Sequence, residues 1–298
     1  MDAPYPGKLR IWEGWTQMAV QELPVPDPAH PLSGPHSPAD FAARLYATEA
    51  LNPNAPRPVP DAGPEPYTLQ WYLNIENQRH RRQGKWIPRL LEFSKHAGET
   101  LLGLGSGLGT DWLQYARHGA AVVVCSPSAD QLALIRRNFE LRGLSGRFVH
   151  ASANALPLEA SSIDVVCVSG LLHEVPEPHV VVDEIYRVLK PGGKALAVTP
   201  ARYDVDCWTR WCFPLQSWFK AKAAPDTGPV VRFSRRELRR LFGRFVEHRI
   251  HKRHLHRLEV PHVWRWTPLP ILERLMGRAL VLKAFKPLNA ALSVQLAA

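Results

Sequence analysis

The sequence predicts an α/β fold in which a mostly parallel sheet carries helices on both faces. Between Thr100 and Thr199, short continuous apolar runs alternate with amphipathic helical patterns, as is typical of parallel strands buried on both faces. The run LLGLGSGLGTD at Leu101–Asp111 joins a predicted strand to a helix start through a glycine cluster. The tetrapeptide KPGG at Lys190–Gly193 supplies a helix stop and a turn into a further strand.

The individual elements follow from residue type and spacing. β-branched residues mark Ala121–Cys125 and Ile163–Ser169 as buried strands. Ser234 begins a helix as its N-cap, and Glu237, three residues later, completes a capping box. The strands are predicted at Thr100–Leu104, Ala121–Cys125, Arg147–His150, Ile163–Ser169, Lys194–Thr199, Phe245–Ile250 and Ala279–Phe285. The helices are predicted at Asp111–His118, Asp130–Leu141, His179–Leu189 and Ser234–Phe242, after a helix or helix pair within Tyr67–Lys95.

Length and composition indicate a globular protein. The 298 residues are enough for one large α/β domain with extensions. No stretch approaches the roughly 18 apolar residues of a membrane span, and the N-terminus lacks the apolar core of a secretory signal, so we expect a cytoplasmic protein. The four cysteines form no CxxC pair, and no His lies at matching spacing. We therefore expect reduced thiols and no metal site.

The formal net charge of +10 is concentrated towards the C-terminal end. Residues 230–286 hold 15 Lys or Arg against 4 Asp or Glu, which leaves 22 basic and 23 acidic residues elsewhere. Such a segment could contact a membrane surface, a phosphate or an acidic substrate, although a solvated helix face is the simpler interpretation. Nucleic acid is not an expected partner, because the arginines are not interleaved with a recognisable binding module.

Composition divides the chain into three parts. Residues 1–66 hold half of the 28 prolines and form a proline-rich N-terminal arm with several apolar anchors. Residues 67–200 form the core that contains the glycine cluster. Residues 201–298 form an aromatic and basic portion that completes the sheet and begins with the aromatic segment Tyr203–Phe219.

The glycine cluster is a candidate ligand site. Gly105, Gly107 and Gly109 allow positive φ and remove the Cβ atoms that would keep a ligand away from the backbone. Thr110 and Asp111 then begin a helix whose free N–H groups favour an anionic group. Ligands of open α/β sheets bind at the carboxyl ends of the strands, so we expect this cluster to lie at the binding edge.

Four motifs in order resemble the class I S-adenosylmethionine-dependent methyltransferases, in the branch that acts on small molecules. They are LLGLGSGLGTD, LPLEASSIDVV at Leu156–Val166, LLHEVPEP at Leu171–Pro178 and EIYRVLKPGGKALAVTP at Glu184–Pro200. The resemblance covers Trp71–Thr199 well. It implies a Rossmann-like fold with a seven-stranded, mostly parallel sheet, and S-adenosyl-L-methionine as the cofactor.

The resemblance also assigns positions to the parts of the cofactor. The glycine loop would face the methionine part, and the end of the second strand would face the ribose and adenine. The ends of the third and fourth strands would face the adenine edge and the other side of the site. The residues implied for cofactor binding are Gly105, Ser106, Gly107, Gly109, Thr110, Asp111, Ser126, Pro127, Ser152, Ala153, Ser169 and Gly170.

Three positions depart from the family pattern. The family usually carries acids at the positions of Gly103, Ser126 and Ser152, and all three are neutral here. A hydrogen bond to a charged group contributes about 1.5–3 kcal/mol and a neutral one about 0.5–1.5 kcal/mol. Loss of the ribose carboxylate therefore weakens binding by about tenfold or more. A neutral second-strand end also suits a nicotinamide dinucleotide, but Thr110 stands where the third glycine of that fingerprint would be.

The resemblance implies methyl transfer to a small acceptor. Acceptor-binding insertions in the family often follow the fifth strand, and here the aromatic segment Tyr203–Phe219 follows it, which suits a lipophilic or aromatic acceptor. A general base is needed only if the acceptor loses a proton, and the catalytic candidates are His173 and Glu174. A role for His173 in shaping its loop is a slightly simpler interpretation. Asp164 is expected to make a structural hydrogen bond. The alternative function is a non-catalytic methyltransferase-fold protein that serves in binding or assembly.

Overall fold

The structure is a computed structural model that describes residues 64–212, 231–260 and 264–288. The proline-rich arm predicted for residues 1–66 therefore lies outside the described residues, apart from residues 64–66. The second part of the aromatic segment, residues 213–219, also lies outside them. The division of the chain into three parts stays a prediction.

Seven strands of the described residues form one sheet. They are β1 (Thr100–Gly105), β2 (Ala121–Ser126), β3 (Arg147–His150), β4 (Ile163–Ser169), β5 (Leu189–Pro200), β6 (Val246–Arg253) and β7 (Ala279–Phe285). Their order is β3-β2-β1-β4-β5-β7-β6. β1 to β5 pair in parallel, whereas β7 runs antiparallel between β5 and β6. The predicted α/β fold with a mostly parallel seven-stranded sheet is confirmed.

Six helices of the described residues lie where the patterns predict them, within a few residues, whereas α6 and α8 were not predicted. They are α1 (Leu69–Asn77), α2 (Ile87–Leu90), α3 (Thr110–Arg117), α4 (Ala129–Glu140), α5 (Pro178–Val188), α6 (Val205–Cys212), α7 (Arg235–Leu241) and α8 (Leu269–Met276). α1 continues directly into a π-helical segment, Gln78–Gln83, and a short 3₁₀ helix lies at Arg257–Glu259. The predicted capping box of Ser234 and Glu237 at the start of α7 is confirmed.

β5 begins earlier than predicted. Leu189 pairs with Ile163, and Lys194 pairs with Val165, with a shift in register between them. The KPGG tetrapeptide is therefore an irregularity within the strand rather than a turn before it. Gly192 adopts a φ of 78° at this point, which only glycine adopts without strain.

Helices cover both faces of the sheet with separate hydrophobic clusters. Val181 and Ile185 of α5 and Leu238 of α7 belong to the cluster on one face. Trp112 of α3 and Ile135 of α4 belong to the cluster on the other. The site predicted at the carboxyl ends of the strands therefore rests on a sheet that is buried from both sides.

Two further observations complete the architecture. Asp164 accepts hydrogen bonds from the Thr100 N–H at 2.9 Å and from Lys190 Nζ at 2.7 Å, which confirms its structural role. Within the described ranges, no helix has the length and apolar character needed to cross a membrane.

Candidate active site

The glycine loop connects β1 to α3. Gly105 has a φ of 154°, and a Cβ atom added there would lie 1.9 Å from the carbonyl oxygen of Ser169. Gly109 precedes α3 with a φ of 73°, in the left-handed region. At Gly107 the nearest atom to an added Cβ would be 4.0 Å away. Packing and backbone conformation thus require the first and third glycines, whereas the second leaves open space for a ligand.

A cleft that is partly open to solvent lies at the carboxyl ends of β1, β4 and β5. This is the edge where an open α/β sheet binds its ligands. The predicted site residues that line it are Ser106, Gly107, Gly109, Thr110, Asp111, Ser169, Gly170 and His173. The other lining residues are Arg79, Trp112, Val198, Thr199 and Pro200, none of which the sequence singled out as part of the site.

Six predicted site residues do not line this cleft. Gly105 is buried beneath the loop, and Glu174 is exposed on the segment that follows β4. The remaining four follow β2 and β3, farther along the same edge of the sheet. They are Ser126, Pro127, Ser152 and Ala153. The cleft is therefore lined by the residues predicted to face the methionine part of the cofactor, whereas the residues predicted to face the ribose and adenine lie outside its lining.

Asp111 pairs with two basic side chains of the π-helical segment. Arg79 donates from Nε to Oδ1 at 2.7 Å and from Nη2 to Oδ2, and His80 Nε2 lies 2.9 Å from Oδ1. Arg79 Nη2 also donates to Ser169 Oγ at 2.9 Å. Burial alone would raise the pKa of the Asp111 carboxyl, but the Arg79 charge and the hydrogen bonds from Arg79 and His80 hold that pKa well below its usual range. Asp111 is therefore a charged, fully paired carboxylate.

Arg79 and His80 are site residues that sequence reasoning missed. The available signal was the basic run QRHRRQ at Gln78–Gln83, directly after an apolar-patterned helix. The spacing of these residues in the chain does not show that the segment folds back onto α3, more than thirty residues later.

Ser126 lies behind the glycine loop. It is 1% exposed, and its hydroxyl donates to Gln131 Oε1 at 2.5 Å and accepts from the Ser128 N–H at 3.1 Å. Gln131 Nε2 in turn donates to the carbonyl oxygens of Gly105 and Gly107, at 3.0 and 2.9 Å. This Ser126–Gln131 pair fixes the loop from below, so the hydrogen bonding does not support the predicted contact of Ser126 with a ribose. Gln131 was missed because it follows an ordinary helical pattern.

The residues after β2 and β3 have local partners. Ser152 is exposed, and its Oγ accepts from the Asn154 N–H at 3.3 Å. Pro127 is also exposed, and its carbonyl oxygen accepts from His150 Nε2 at 2.9 Å. Ala153 is buried. The predicted adenine positions therefore present one hydroxyl and no carboxylate.

Ser106 ties the glycine loop to the segment after β4. Its hydroxyl lies 3.0 Å from the Gly170 carbonyl oxygen and 3.3 Å from Glu174 Oε1. Partial desolvation of the carboxyl raises the pKa of Glu174, although the side chain is partly exposed, and the Ser106 hydrogen bond offsets part of that rise. Glu174 therefore supports the edge of the cleft from outside its lining.

Three buried side chains of the cleft, those of Trp112, His173 and Thr199, carry a polar atom that lacks a partner within the described residues. His173 is 8% exposed and Thr199 is 1% exposed. Neither His173 Nδ1 nor Thr199 Oγ1 has a hydrogen-bond partner within the described residues. Burial lowers the pKa of His173 to about 4, so the imidazole is neutral near pH 7. Because buried polar atoms are normally hydrogen-bonded, these two atoms keep unused hydrogen-bonding capacity in residues that line the cleft.

Residues 101–197, which run from β1 into β5, match the protein family described as "Methyltransferase domain". This third of the chain is therefore similar to a methyltransferase domain. The matched range contains the glycine loop and His173, whereas Arg79 and Thr199 lie outside it.

Curated relatives share this domain over part of their length. A demethylmenaquinone methyltransferase of Clavibacter sepedonicus is 42% identical over 102 residues, which are 33% of this chain and 40% of the relative. A demethylmenaquinone methyltransferase of Thermus thermophilus is 32% identical over 117 residues, which are 38% of this chain and 53% of the relative. The matched part thus spans about half or less of the length of these relatives.

Solved structures share the fold of the methyltransferase domain. Geranyl diphosphate methyltransferase in complex with SAM has a TM-score of 0.50 and 20% identity, over 74% of this chain and 92% of that chain. The [4+2]-cyclase SpnF has a TM-score of 0.50 and 19% identity, over 69% of this chain and 82% of that chain. At these identities the likeness shows the fold alone.

Proposed function

We propose that this protein transfers a methyl group from S-adenosylmethionine to a small lipophilic acceptor. One observation carries the proposal. A single cleft holds both the open position at Gly107 and the unpartnered polar atoms of His173 and Thr199. A methyltransferase needs a cradle for its cofactor and a place for a second molecule beside it, and this cleft offers both.

The methionine end of S-adenosylmethionine fits the wall formed by the glycine loop and α3. The first N–H groups of α3, from Thr110 and Asp111, favour a carboxylate. The Arg79 guanidinium adds a positive charge at the same wall. The Ser169 hydroxyl, which lies beside the Arg79–Asp111 pair, offers an acceptor for the ammonium group. These side chains already neutralise one another, so they are oriented before a ligand binds.

The ribose end of the cofactor meets weaker partners. Ser126 is engaged by Gln131, and Ser152 offers a neutral hydroxyl where a carboxylate would bind more strongly. A neutral hydrogen bond in place of a charge-assisted one lowers affinity by about tenfold. We therefore expect S-adenosylmethionine to bind, with its affinity resting mainly on the methionine end.

Part of the cleft lining combines apolar surface with the polar atoms of His173 and Thr199. Trp112, Val198 and Pro200 contribute apolar surface to the lining. An apolar ring or chain would be buried there, while an oxygen substituent would pair with His173 Nδ1 and Thr199 Oγ1. The names of the curated relatives support an acceptor of this kind, since a quinol combines an apolar ring system with hydroxyl groups.

The chemistry divides between cofactor and protein. S-adenosylmethionine supplies a methyl group that its sulfonium charge makes electrophilic. The residues of the cleft hold the acceptor in position and exclude water. His173 Nε2 lies 3.8 Å from Glu174 Oε1, and a proton on Nε2 leaves Nδ1 free to accept a hydrogen bond from an acceptor hydroxyl. With a pKa of about 4, His173 is too weak a base to remove a hydroxyl proton readily, so it orients the acceptor.

Calorimetry with S-adenosylmethionine and S-adenosylhomocysteine tests the cofactor half of the proposal. The wild-type chain should bind both. Gly107→Arg should abolish binding, because the new side chain enters the cleft without backbone strain. Ala160→Arg places the same side chain on an exposed turn before β4, at the opposite edge of the sheet, and should leave binding intact. No binding by the wild-type chain at millimolar ligand overturns the proposal.

Methyl transfer is then measured with labelled S-adenosylmethionine and a reduced, short-chain demethylmenaquinone. Product formation that Gly107→Arg abolishes supports the proposal. Cofactor binding without transfer to this acceptor or to other hydroxylated apolar rings contradicts the acceptor class.

A non-catalytic binding protein is the second candidate. The observation that favours it is the Ser126–Gln131 pair, which holds the loop and leaves the ribose without an acidic partner. This candidate predicts that an apolar ligand binds in the cleft while neither S-adenosylmethionine nor S-adenosylhomocysteine does. The calorimetric experiment therefore separates the two functions.

A further inference from the structure

A surface beside the cleft combines exposed apolar side chains with arginines. It is formed by α6, the turn at residues 264–267 and α8. Trp211 is 78% exposed and Trp266 is 82% exposed, while Ile271 and Leu275 are 52% and 50% exposed. Together with Arg210 and Arg274, these six residues are the Trp–Arg surface.

The helices that carry three of the apolar members, α6 and α8, share a small core. Val205 of α6 packs in one buried cluster with Leu272 and Met276 of α8. Ile271 and Leu275 are four residues apart and therefore lie on a common face of α8, outside that core.

Edge-to-face contacts between aromatic rings join α6 to the neighbouring turn. The ring of Trp208 lies 6.0 Å from that of Trp211 and 6.4 Å from that of Trp264. Trp208 and Trp264 pack against the core of α6 and α8, so the exposed Trp211 and Trp266 flank an ordered aromatic cluster.

The charge on this surface is positive because the nearby acids Asp206 and Glu259 are paired with Arg278. Arg278, 2% exposed, makes ion pairs with Asp206 and with Glu259. Arg210 and Arg274 are exposed and make no ion pair among the described residues. Arg235 Nη2 donates to the Arg274 carbonyl oxygen at 3.0 Å, which brings a third guanidinium to the end of α8.

The Trp–Arg surface is close to the cleft along the chain. Pro200 lines the cleft, and α6 begins at Val205, five residues later. Lys252 Nζ donates both to the Tyr203 carbonyl oxygen and to the Leu275 carbonyl oxygen, which holds this connection against the end of α8.

We propose that the Trp–Arg surface docks onto a bilayer that contains anionic lipids. Tryptophans favour the interface between headgroups and acyl chains, and arginines bind lipid phosphates. Exposed apolar side chains among basic ones are typical of proteins that lie on a membrane. Docking through this surface would place the cleft near the bilayer, and a lipophilic acceptor would be dissolved in that bilayer. Vesicle binding itself does not depend on catalysis, so the docking stands or falls separately from the proposed function.

Sedimentation of the full chain with lipid vesicles tests the docking. We expect binding to phosphatidylcholine vesicles that contain phosphatidylglycerol and much weaker binding to phosphatidylcholine alone. Raising the salt from about 50 to about 500 mM should weaken binding, because screening shortens the reach of the arginine charges. The double substitution Trp211→Ser and Trp266→Ser should weaken binding by about tenfold or more. Arg210→Gln with Arg274→Gln should remove the preference for anionic vesicles.

Leu288→Ser is the matched control. Leu288 is 76% exposed but lies after β7, beside Gly192 at the opposite edge of the sheet, so its substitution should leave vesicle binding unchanged. Circular dichroism and thermal unfolding establish that each variant is folded. Three results overturn the proposal: no vesicle binding by the wild-type chain, an equal loss in Leu288→Ser, or a wild-type dimer that the tryptophan substitutions convert to a monomer.

Discussion

The indole of Trp112 occupies the space that a side chain at residue 103 would need. A Cβ atom added to Gly103 would lie 2.6 Å from Trp112 Cγ and Cδ2. Trp112 is 2% exposed and packs in the cluster between α3 and the sheet. The acid that the family usually carries at this position is therefore excluded by packing, because an aromatic side chain from α3 fills its place.

Gly103→Ala should destabilise the protein by about 1–3 kcal/mol, because even one methyl group overfills this contact. Gly107→Ala is the control and should change stability little, since its Cβ meets open space. Urea unfolding measures both. In a double-mutant cycle, Trp112→Leu should reduce the cost of Gly103→Ala, and strict additivity would show that the two residues do not interact.

Arg79→Met should lower stability by about 3 kcal/mol, because Asp111 would keep a buried charge with only His80 beside it. Adding Asp111→Asn should restore much of that stability without restoring the affinity for S-adenosylhomocysteine. Arg81→Met, an exposed position on the same segment, should affect neither quantity. If the double variant regained full affinity, Arg79 would serve only to neutralise Asp111.

Gln131→Glu should weaken S-adenosylhomocysteine binding by about tenfold, although the side chain keeps its size. The new carboxylate cannot donate to the carbonyl oxygens of Gly105 and Gly107, so the loop loses two hydrogen bonds. Calorimetry gives the affinity, and amide hydrogen exchange should report faster opening of the loop. Unchanged exchange at Gly105–Gly109 would contradict the role given to Gln131.

Thr199→Val should separate stability from acceptor binding. The Thr199 hydroxyl is buried without a partner among the described residues, so its removal should leave stability unchanged or raise it by about 1 kcal/mol. The KM for a hydroxylated acceptor should rise about tenfold, while the Kd of S-adenosylhomocysteine stays constant. Thr199→Ser keeps the hydroxyl and should retain a low KM. An equal KM in both variants would remove Thr199 from acceptor recognition.

Acid should destabilise the wild-type protein more than His173→Gln. The unfolded chain binds a proton at His173 near pH 6.5, whereas burial holds the folded pKa at about 4. As the pH falls from 7 to 5, the unfolded state gains protons first, so the wild type should lose about 2 kcal/mol relative to the variant. Denaturant midpoints at the two pH values measure the difference, and other titrating groups cancel in the comparison. Parallel pH profiles would show that His173 is solvated.

Local patterns predicted the sheet well because the buried strands consist of continuous apolar and β-branched residues. The bounds of β3 and β4 agree with the prediction, and those of β1 and β2 differ by one residue. β5 differs because its extension through Leu189 depends on pairing with Ile163, a contact between segments far apart in the chain. The methionine end of the site could be predicted because the glycines themselves form it.

The missing parts of the site depend on tertiary contacts. Arg79 reaches Asp111 only because the π-helical segment folds back onto α3. Gln131 holds the glycine loop only because α4 passes beneath it. Ser126 stands at the end of β2 as predicted, but its hydroxyl found a partner in Gln131 that no local pattern indicates.

The antiparallel pairing of β5 with β7 has a consequence for how this protein can vary. Pro200 at the end of β5 is the register partner of Ala279 at the start of β7. The chain therefore leaves β5 and re-enters the sheet through β7 at adjoining positions, and the described residues between them supply the edge strand β6 and the core helix α7. Substitutions in α6 and α8, which lie off the sheet, can therefore change this side of the molecule while the glycine loop keeps its place.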